Sequence, residues 1–219
     1  MPATDAYRID SRSYLLRGLR LLEQGGRENL FYAAFEFRCA AESRMQQYLE
    51  AWEHVPKSRK QDWEVGRLSK SLDRAFSENK LARVEIKAVT SSLGVVLYYT
   101  PCRQKLKDCV ARLGKYLHAK LVVHPTSHDW WDEFRTILFD CRDELVFSNT
   151  GTLIGPFLRD PKTGLVRSNI EVLQGQNPDQ ALLEQIRGAR IALHVSQPDT
   201  LPDPIEPNAV VWRYTTRTI

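Results

Sequence analysis

Two oppositely charged residues lie within the apolar stripe of a predicted long helix. The segment FYAAFEFRCAAESRMQQYLEAW repeats apolar side chains at three- and four-residue spacing, namely Phe31, Ala34, Phe35, Met45, Leu49 and Trp52. Arg38 and Glu42 fall on the same stripe, and because they are four residues apart they can bond to each other. Burying both ions among aromatic side chains is costly unless each is well bonded. The pair is therefore either a structural salt bridge in a helical core or part of a polar site between helices.

A second set of reactive side chains closes a later predicted helix. In RLGKYLH, Arg112 and His118 are six positions apart and Lys115 lies between them. Histidine can transfer protons near neutral pH, and arginine carries a permanent charge that can hold a phosphate. An ideal helix turns residues at this spacing about 120° away from each other, so they share a site only if the helix bends or ends near Gly114. The alternative is a surface arginine and a helix-terminal histidine that the helix dipole stabilises.

Helical periodicity, caps and glycine stops predict the elements that carry these residues. The predicted helices begin and end at about Ser11–Gln24, Glu28–His54, Val65–Phe76, Pro101–His118 and Ser127–Asp143. Ser11 or Ser13 is the expected cap of the first helix, Gly25-Gly26 its stop, and Ser127 the cap of the last. The core of this bundle is expected to contain Phe31, Phe35, Met45, Leu49, Leu106, Val110, Leu113 and Leu117.

Strand patterns interrupt and then follow the helices. Residues 84–99 alternate and end in a β-branched and aromatic run, which predicts a β-hairpin inserted between helices. After Glu144 the strand candidates are LVFSN, GTLIGPFL, GLVRSNIEVL, ARIALHV and AVVWRYTT, with a short helix near 179–186. The proline-rich stretch SQPDTLPDPIEPN predicts no regular element. We therefore expect an α+β fold: a helical bundle with its hairpin over 1–122, and a helix with a smaller β-rich part over 123–219.

Composition limits the class of protein. The chain has 219 residues, 42% of them hydrophobic, and a net charge of +4, which permits contact with nucleic acid. No apolar run approaches the roughly 20 residues that a bilayer-spanning helix needs. The start MPATDAYRIDSRSY lacks the basic start and apolar core of a signal peptide. We expect a cytoplasmic protein that does not enter a membrane.

Motifs for the common cofactor chemistries do not occur. The sequence contains no C-x-x-C, no G-x-S-x-G, no P-loop and no dinucleotide-binding glycine pattern. His124 and His128, with Asp129 or Asp132, are the remaining candidates for metal ligands, but their spacing across a proline turn matches no known ligand geometry. No cofactor or metal is therefore expected.

The helical half resembles the HEPN superfamily of small helical bundles over roughly residues 11 to 120. Those domains often carry an arginine and a histidine four to six residues apart near the end of a late helix, and an acidic residue on an earlier helix in a pattern like A-x-x-x-E. Arg112 and His118 match the first feature here, and Glu42 in AAFEFRCAAE matches the second. Catalytic members dimerise and cleave RNA without metal, while other branches are interaction modules.

The resemblance implies two hypotheses of different kinds. In the first, the chain is a metal-independent endoribonuclease or toxin-type effector of a prokaryotic defence or stress system, acting as a homodimer. Arg112, His118 and Glu42 would then be catalytic, and Arg38 and Lys115 would bind the RNA substrate. In the second, the chain is a catalytically inactive helical module that binds a protein partner, with the β-rich part as the docking surface.

Overall fold

The computed structural model describes residues 7–51, 55–60, 64–75, 80–89, 94–118, 129–155, 158–159, 166–167 and 190–213. The fold is α+β, with a helical N-terminal part, as predicted. The chain divides into two compact units. The helical unit contains Met1–Ser77 and Cys102–Asn149, and the sheet unit contains Glu78–Pro101 and Thr150–Ile219.

The helices of the first unit lie close to the predicted positions. They are α1 (Ser11–Gln24), α2 (Arg27–Glu50), α3 (Lys57–Lys60), α4 (Val65–Ala75), α5 (Gln104–Leu117) and α6 (Trp130–Thr150). Asp10 caps α1 by accepting a hydrogen bond from the Ser13 backbone N–H, so the assignment of the cap to Ser11 or Ser13 is wrong. Gly25 and Gly26 adopt positive φ angles of 67° and 82°, which ends α1 and lets α2 return along it.

The buried face of α2 differs from the predicted stripe. Helices α1, α4, α5 and α6 pack around this face. The buried residues of α2 are Leu30, Ala33, Ala34, Phe37, Ala40, Ala41, Arg44, Met45, Tyr48 and Leu49. Among the other expected core residues, Leu106, Val110 and Leu113 are buried, while Phe31 and Leu117 are half-buried. Phe35 is 56% exposed, so its predicted burial is wrong. Small residues on the buried side let the helices approach more closely than a stripe of large residues would.

The second unit is built on one mixed sheet. Its strands are β1 (Ala82–Ala88), β2 (Gly94–Tyr99), β5 (Ile191–Ser196) and β6 (Ala209–Val210), in the order β5-β1-β2-β6. The predicted hairpin is confirmed, since β1 and β2 pair antiparallel with Ala82 opposite Tyr99. β5 pairs antiparallel with β1, and β6 pairs parallel with β2. A separate pair consists of β3 (Leu158–Arg159) and β4 (Val166–Arg167).

Several sequence-based boundaries need correction. The hairpin forms the centre of the sheet with C-terminal strands, and α6 belongs to the helical unit, so the units do not divide at residue 122. The segment LVFSN continues α6 and is not a strand, because its apolar residues extend the helix's buried face. Pro101 lies before α5, which begins at Gln104, and the predicted turn HVPKSRKQ contains the short α3. The proline-rich stretch has no regular element from Gln197 to Asn208, as predicted. The predicted helix near 179–186, Trp52, Phe76 and Ser127 lie outside the described residues.

Candidate functional site

Arg38 and Glu42 form the predicted ion pair on α2. The Arg38 Nε donates to Glu42 Oε1 at 2.9 Å, and the two side chains are 28% and 25% exposed. Their mutual hydrogen bond is thus confirmed, and the pair is partly rather than fully buried. Both lie at the edge of the core, where water still reaches them. Burial, followed by the charges of Glu42 and Glu36, raises the pKa of the neighbouring Cys39 thiol to about 11, so this cysteine is not activated as a nucleophile.

Arg38 of this ion pair lies against the last turns of α5. A Cβ atom at Gly114 would be 3.7 Å from the Arg38 Nη1, so the glycine face of α5 is turned towards this guanidinium. Helix α5 ends at Leu117, and His118 is its C-cap, with its backbone N–H bonded to the Gly114 carbonyl at 3.2 Å. His118 follows Gly114 by one turn, at about 40° around the helix axis. Gly114 and His118 therefore lie on about the same side of α5, the side that faces Arg38.

Arg112 faces a different side of α5. Its position is about 160° around the helix from Gly114, and its Nη2 lies 3.7 Å from Glu133 Oε1 on α6. Both members of this ion pair are strongly exposed, at 47% and 61%. Lys115 and His118 are exposed, and among the described residues neither makes a side-chain hydrogen bond or ion pair. The structure thus brings Arg38 and Glu42 together beside Gly114, whereas Arg112 contacts Glu133 instead.

An aromatic surface lies beside these residues. Phe31 of α2 contacts Trp130, Trp131 and Phe134 of α6, with ring centroids between 5.2 and 6.2 Å apart. Tyr116 of α5 stacks on Phe134 at 4.5 Å, close to the Arg112–Glu133 pair. The helix pattern itself extends this surface along α2 to Tyr32 and Phe35, which are 60% and 56% exposed. The sequence signal was the Trp130-Trp131 dipeptide and the excess of aromatic residues early in α2.

A buried cation was not predicted. Arg44 is 4% exposed, and its Nε donates to the Ser148 carbonyl of α6 at 2.9 Å. The guanidinium lies 4.5 Å from the Tyr48 ring centroid. Arg12 of α1 donates to the next carbonyl, that of Asn149, and burial together with the charge of Arg44 lowers the Arg12 pKa to about 10. These cations bind the carbonyl end of α6, where the helix dipole is negative.

The sheet unit holds a polar cluster that ties the proline-rich stretch to the sheet. Glu206 accepts hydrogen bonds from the Arg83 Nε at 2.8 Å and from the Tyr98 hydroxyl at 2.5 Å. Burial and the bond to this carboxylate raise the Tyr98 pKa to about 12. Burial opposes ionisation of Glu206, but the bonds from Tyr98 and Arg83 outweigh it, and the Glu206 pKa is lowered.

No group of metal-ligating side chains occurs within the described part of the chain. His124 and His128, the candidate ligands, lie outside it. All of the cysteines, at 39, 102, 109 and 141, are free thiols. No described helix combines the length and apolar character needed to cross a membrane.

Comparisons with protein-family models, with curated proteins and with solved structures each find no match for this chain. The resemblance to the HEPN superfamily therefore depends on the sequence pattern alone.

Proposed function

We propose that this chain is a HEPN-like, metal-independent endoribonuclease, of the kind that serves as a toxin-type effector in prokaryotic defence or stress responses. One observation carries the proposal. Arg38, which is half-buried and bonded to Glu42, lies against Gly114, one helical turn before the exposed His118. A cation, a carboxylate and an imidazole are thus within the same part of the helical unit.

These groups supply what RNA transesterification needs. A base removes the proton of a 2′-hydroxyl, whose oxygen attacks the adjacent phosphorus, and the bond from phosphorus to the 5′-oxygen breaks. The departing 5′-oxygen takes a proton, leaving a 2′,3′-cyclic phosphate and a 5′-hydroxyl. His118 transfers a proton, Arg38 and Lys115 hold the phosphate charge, and Glu42 orients Arg38. A second copy of the chain would supply the second histidine.

The proposal changes the part given to Arg112. Sequence reasoning paired it with His118, but its contact with Glu133 and its position on another side of α5 favour Arg38 as the phosphate-binding cation. Arg112 and Glu133 are both exposed, and such pairs contribute little to stability. We therefore expect Arg112→Ala to reduce cleavage less than Arg38→Ala does.

The experiment is cleavage of single-stranded RNAs of several sequences at neutral pH in the presence of chelator. The expected result is cleavage by the wild-type protein and its loss in His118→Ala, with unchanged unfolding. His194→Ala is the matched control, since His194 is also exposed but lies on β5. Intact RNA in every reaction, or equal cleavage by His118→Ala, would overturn the proposal.

A second candidate function, binding of a protein partner, is favoured by the aromatic surface. Tyr32 and Phe35 are exposed on α2, where Phe31 contacts the half-buried Trp130 and Trp131. The Arg27 guanidinium lies 4.9 Å from the Trp131 ring centroid. Aromatic residues and arginine are the residue types enriched at protein interfaces. Acidic residues such as Glu28 and Asp132 are interspersed here, which suits a protein better than a polyanion.

Affinity capture tests the second candidate. A partner that binds this surface should be retained by the wild-type protein and by Phe139→Ala, a control at an exposed aromatic residue elsewhere on α6. The same partner should be lost from the double variant Tyr32→Ala, Phe35→Ala. Equal retention by all three proteins would exclude the aromatic surface as the docking site.

A further inference from the structure

Strand β5 is the outermost strand of the sheet that the described residues form, and its outer edge is unusually apolar. The strand reads IALHVS, without a charged residue or a proline. Ile191 and Leu193 are 44% and 46% exposed, and Ala192 and His194 are exposed as well. Natural edge strands are commonly protected from pairing by lysine, proline or a bulge. β5 has none of these.

The pairing of β5 with β1 determines which of its backbone groups face outwards. The Val89 N–H donates to the Arg190 carbonyl at 2.8 Å, in the same register that places Glu85 opposite His194. Hydrogen-bonded and non-bonded pairs alternate along an antiparallel ladder, so Ala192 and His194 direct their backbone groups to β1. The N–H and C=O groups of Ile191, Leu193 and Val195 therefore point away from the sheet.

We propose that β5 pairs antiparallel with β5 of a second copy of the chain, joining two sheets into one. Centred on Leu193, this pairing sets Leu193 opposite its own copy and Ile191 opposite Val195. About six hydrogen bonds would then satisfy all the outward backbone groups of the three residues on both strands. On the other face Ala192 lies opposite His194. Every opposed pair along the strand is uncharged, so no like charges meet.

The apolar face of the sheet explains why a second copy suits this edge. Val84, Ile86 and Ala88 of β1 form a buried cluster against which Val195 packs. Ile191 and Leu193 lie opposite Ala88 and Ile86 in the register, so they continue the same face to the exposed edge. A second β5 would bring an identical apolar row alongside. The contact would thus extend an existing core across the symmetry axis.

The small size of the contact sets its strength. Stable specific interfaces bury about 800 Å² on each partner, which one six-residue strand does not reach alone. Because the dissociation constants of interfaces of standard size range from micromolar to picomolar, this smaller interface should have a dissociation constant in the micromolar range or weaker. The pairing depends on the sheet edge and not on RNA cleavage, which is assayed separately. If the pairing fails, the second copy that supplies the second histidine must bind through another surface.

Sedimentation velocity over a range of protein concentrations tests the pairing. The wild-type protein should shift from monomer to dimer as its concentration rises, and Leu193→Lys should remain monomeric because it places a charge opposite its own copy. Leu193→Pro should also remain monomeric, since it removes an outward N–H and leaves the N–H groups that face β1 intact. Phe139→Lys, on α6, should dimerise like the wild type.

Thermal unfolding of each variant identifies any that fails to fold, and either Leu193 variant suffices for the test. A wild-type protein that stays monomeric throughout would overturn the proposal. Dimerisation of a folded Leu193→Lys or Leu193→Pro protein with wild-type affinity would also overturn it. Loss of the dimer in Phe139→Lys but not in the Leu193 variants would assign dimerisation to the helical unit instead.

Discussion

Two arginines on α2 show how differently one helix can use the same side chain. Arg44 is 4% exposed and bonds to the backbone carbonyl of Ser148 at the end of α6. Arg38, less than two turns earlier, keeps a side chain that is 28% exposed and bonds to the carboxylate of Glu42. A buried cation that a fixed carbonyl holds cannot leave without breaking the helix packing. A cation that is partly exposed and bonded to a side-chain carboxylate can exchange that partner for a substrate phosphate.

The comparison separates structural from functional charges by their partners and their access to water. Desolvation makes each bond of Arg44 expensive to lose, whereas water compensates when Arg38 loses its partner.

Arg44→Met should destabilise the helical unit by about 2–4 kcal/mol, because a charge-assisted hydrogen bond to Ser148 is lost in a buried setting. Methionine keeps much of the apolar volume, so the loss reports mainly on the polar contacts. Urea unfolding measures the change. A loss below about 1 kcal/mol would show that Arg44 does not anchor α6, and would remove the contrast with Arg38.

Substitutions at two glycines test how closely α2 packs against α1 and against α5. A Cβ at Gly18 would overlap the buried Phe37 ring, whereas one at Gly114 would lie 3.7 Å from Arg38 Nη1, an ordinary contact distance. Gly18→Ala should therefore destabilise by about 1–3 kcal/mol through overpacking. Gly114→Ala should be neutral or stabilise by up to about 1 kcal/mol, since alanine favours the helix. Thermal unfolding measures the change in stability of each variant. Destabilisation of both variants, or of neither, would contradict the described packing.

Glu206 offers a half-exposed ion pair that has, unlike Arg38–Glu42, an additional buried hydroxyl donor. Its pKa is lowered in the folded protein, so its stabilising effect is complete above the ordinary carboxyl pKa of about 4.3. That effect is lost as the pH falls through the folded pKa. The wild-type protein should therefore lose more unfolding free energy between about pH 5 and pH 3 than Glu206→Gln does. The difference should be less than about 1 kcal/mol, because Glu206 is partly exposed. Unfolding curves of the two proteins at several pH values measure this difference, and an equal loss in both would contradict the prediction.

The sequence predicted the positions of helices and strands better than it predicted which side of a helix is buried. Periodicity and the Gly25-Gly26 stop gave α1 its observed bounds, and alternation gave the β1–β2 hairpin. The buried side of α2 was predicted partly wrongly because the prediction depended mainly on large apolar residues and gave little weight to alanines. Ala33, Ala40 and Ala41 are fully buried, and Phe35 is exposed. Since α2 is surrounded by several helices, close approach through alanine decides its orientation more than side-chain size does.

The candidate site was predicted in parts. Four-residue spacing was enough to predict the Arg38–Glu42 bond, because it depends on one helix alone. Arg112–Glu133 depends on how α5 packs against α6, which no local pattern encodes. The burial of Arg44 likewise depends on the Ser148 carbonyl, which is 104 residues away in the sequence. Local spacing predicts contacts within a helix, while contacts between helices need the packed structure.

Stability and RNA cleavage measured together in Arg38→Met test whether Arg38 is functional or structural. We expect the free energy of unfolding to change by less than about 1 kcal/mol, since the ion pair is partly exposed. Cleavage in chelator should fall by about 100-fold or more, as expected when a donor to the transition-state charge is removed. Undiminished cleavage, or a loss of stability as large as that of Arg44→Met, would contradict the assignment of Arg38 to function.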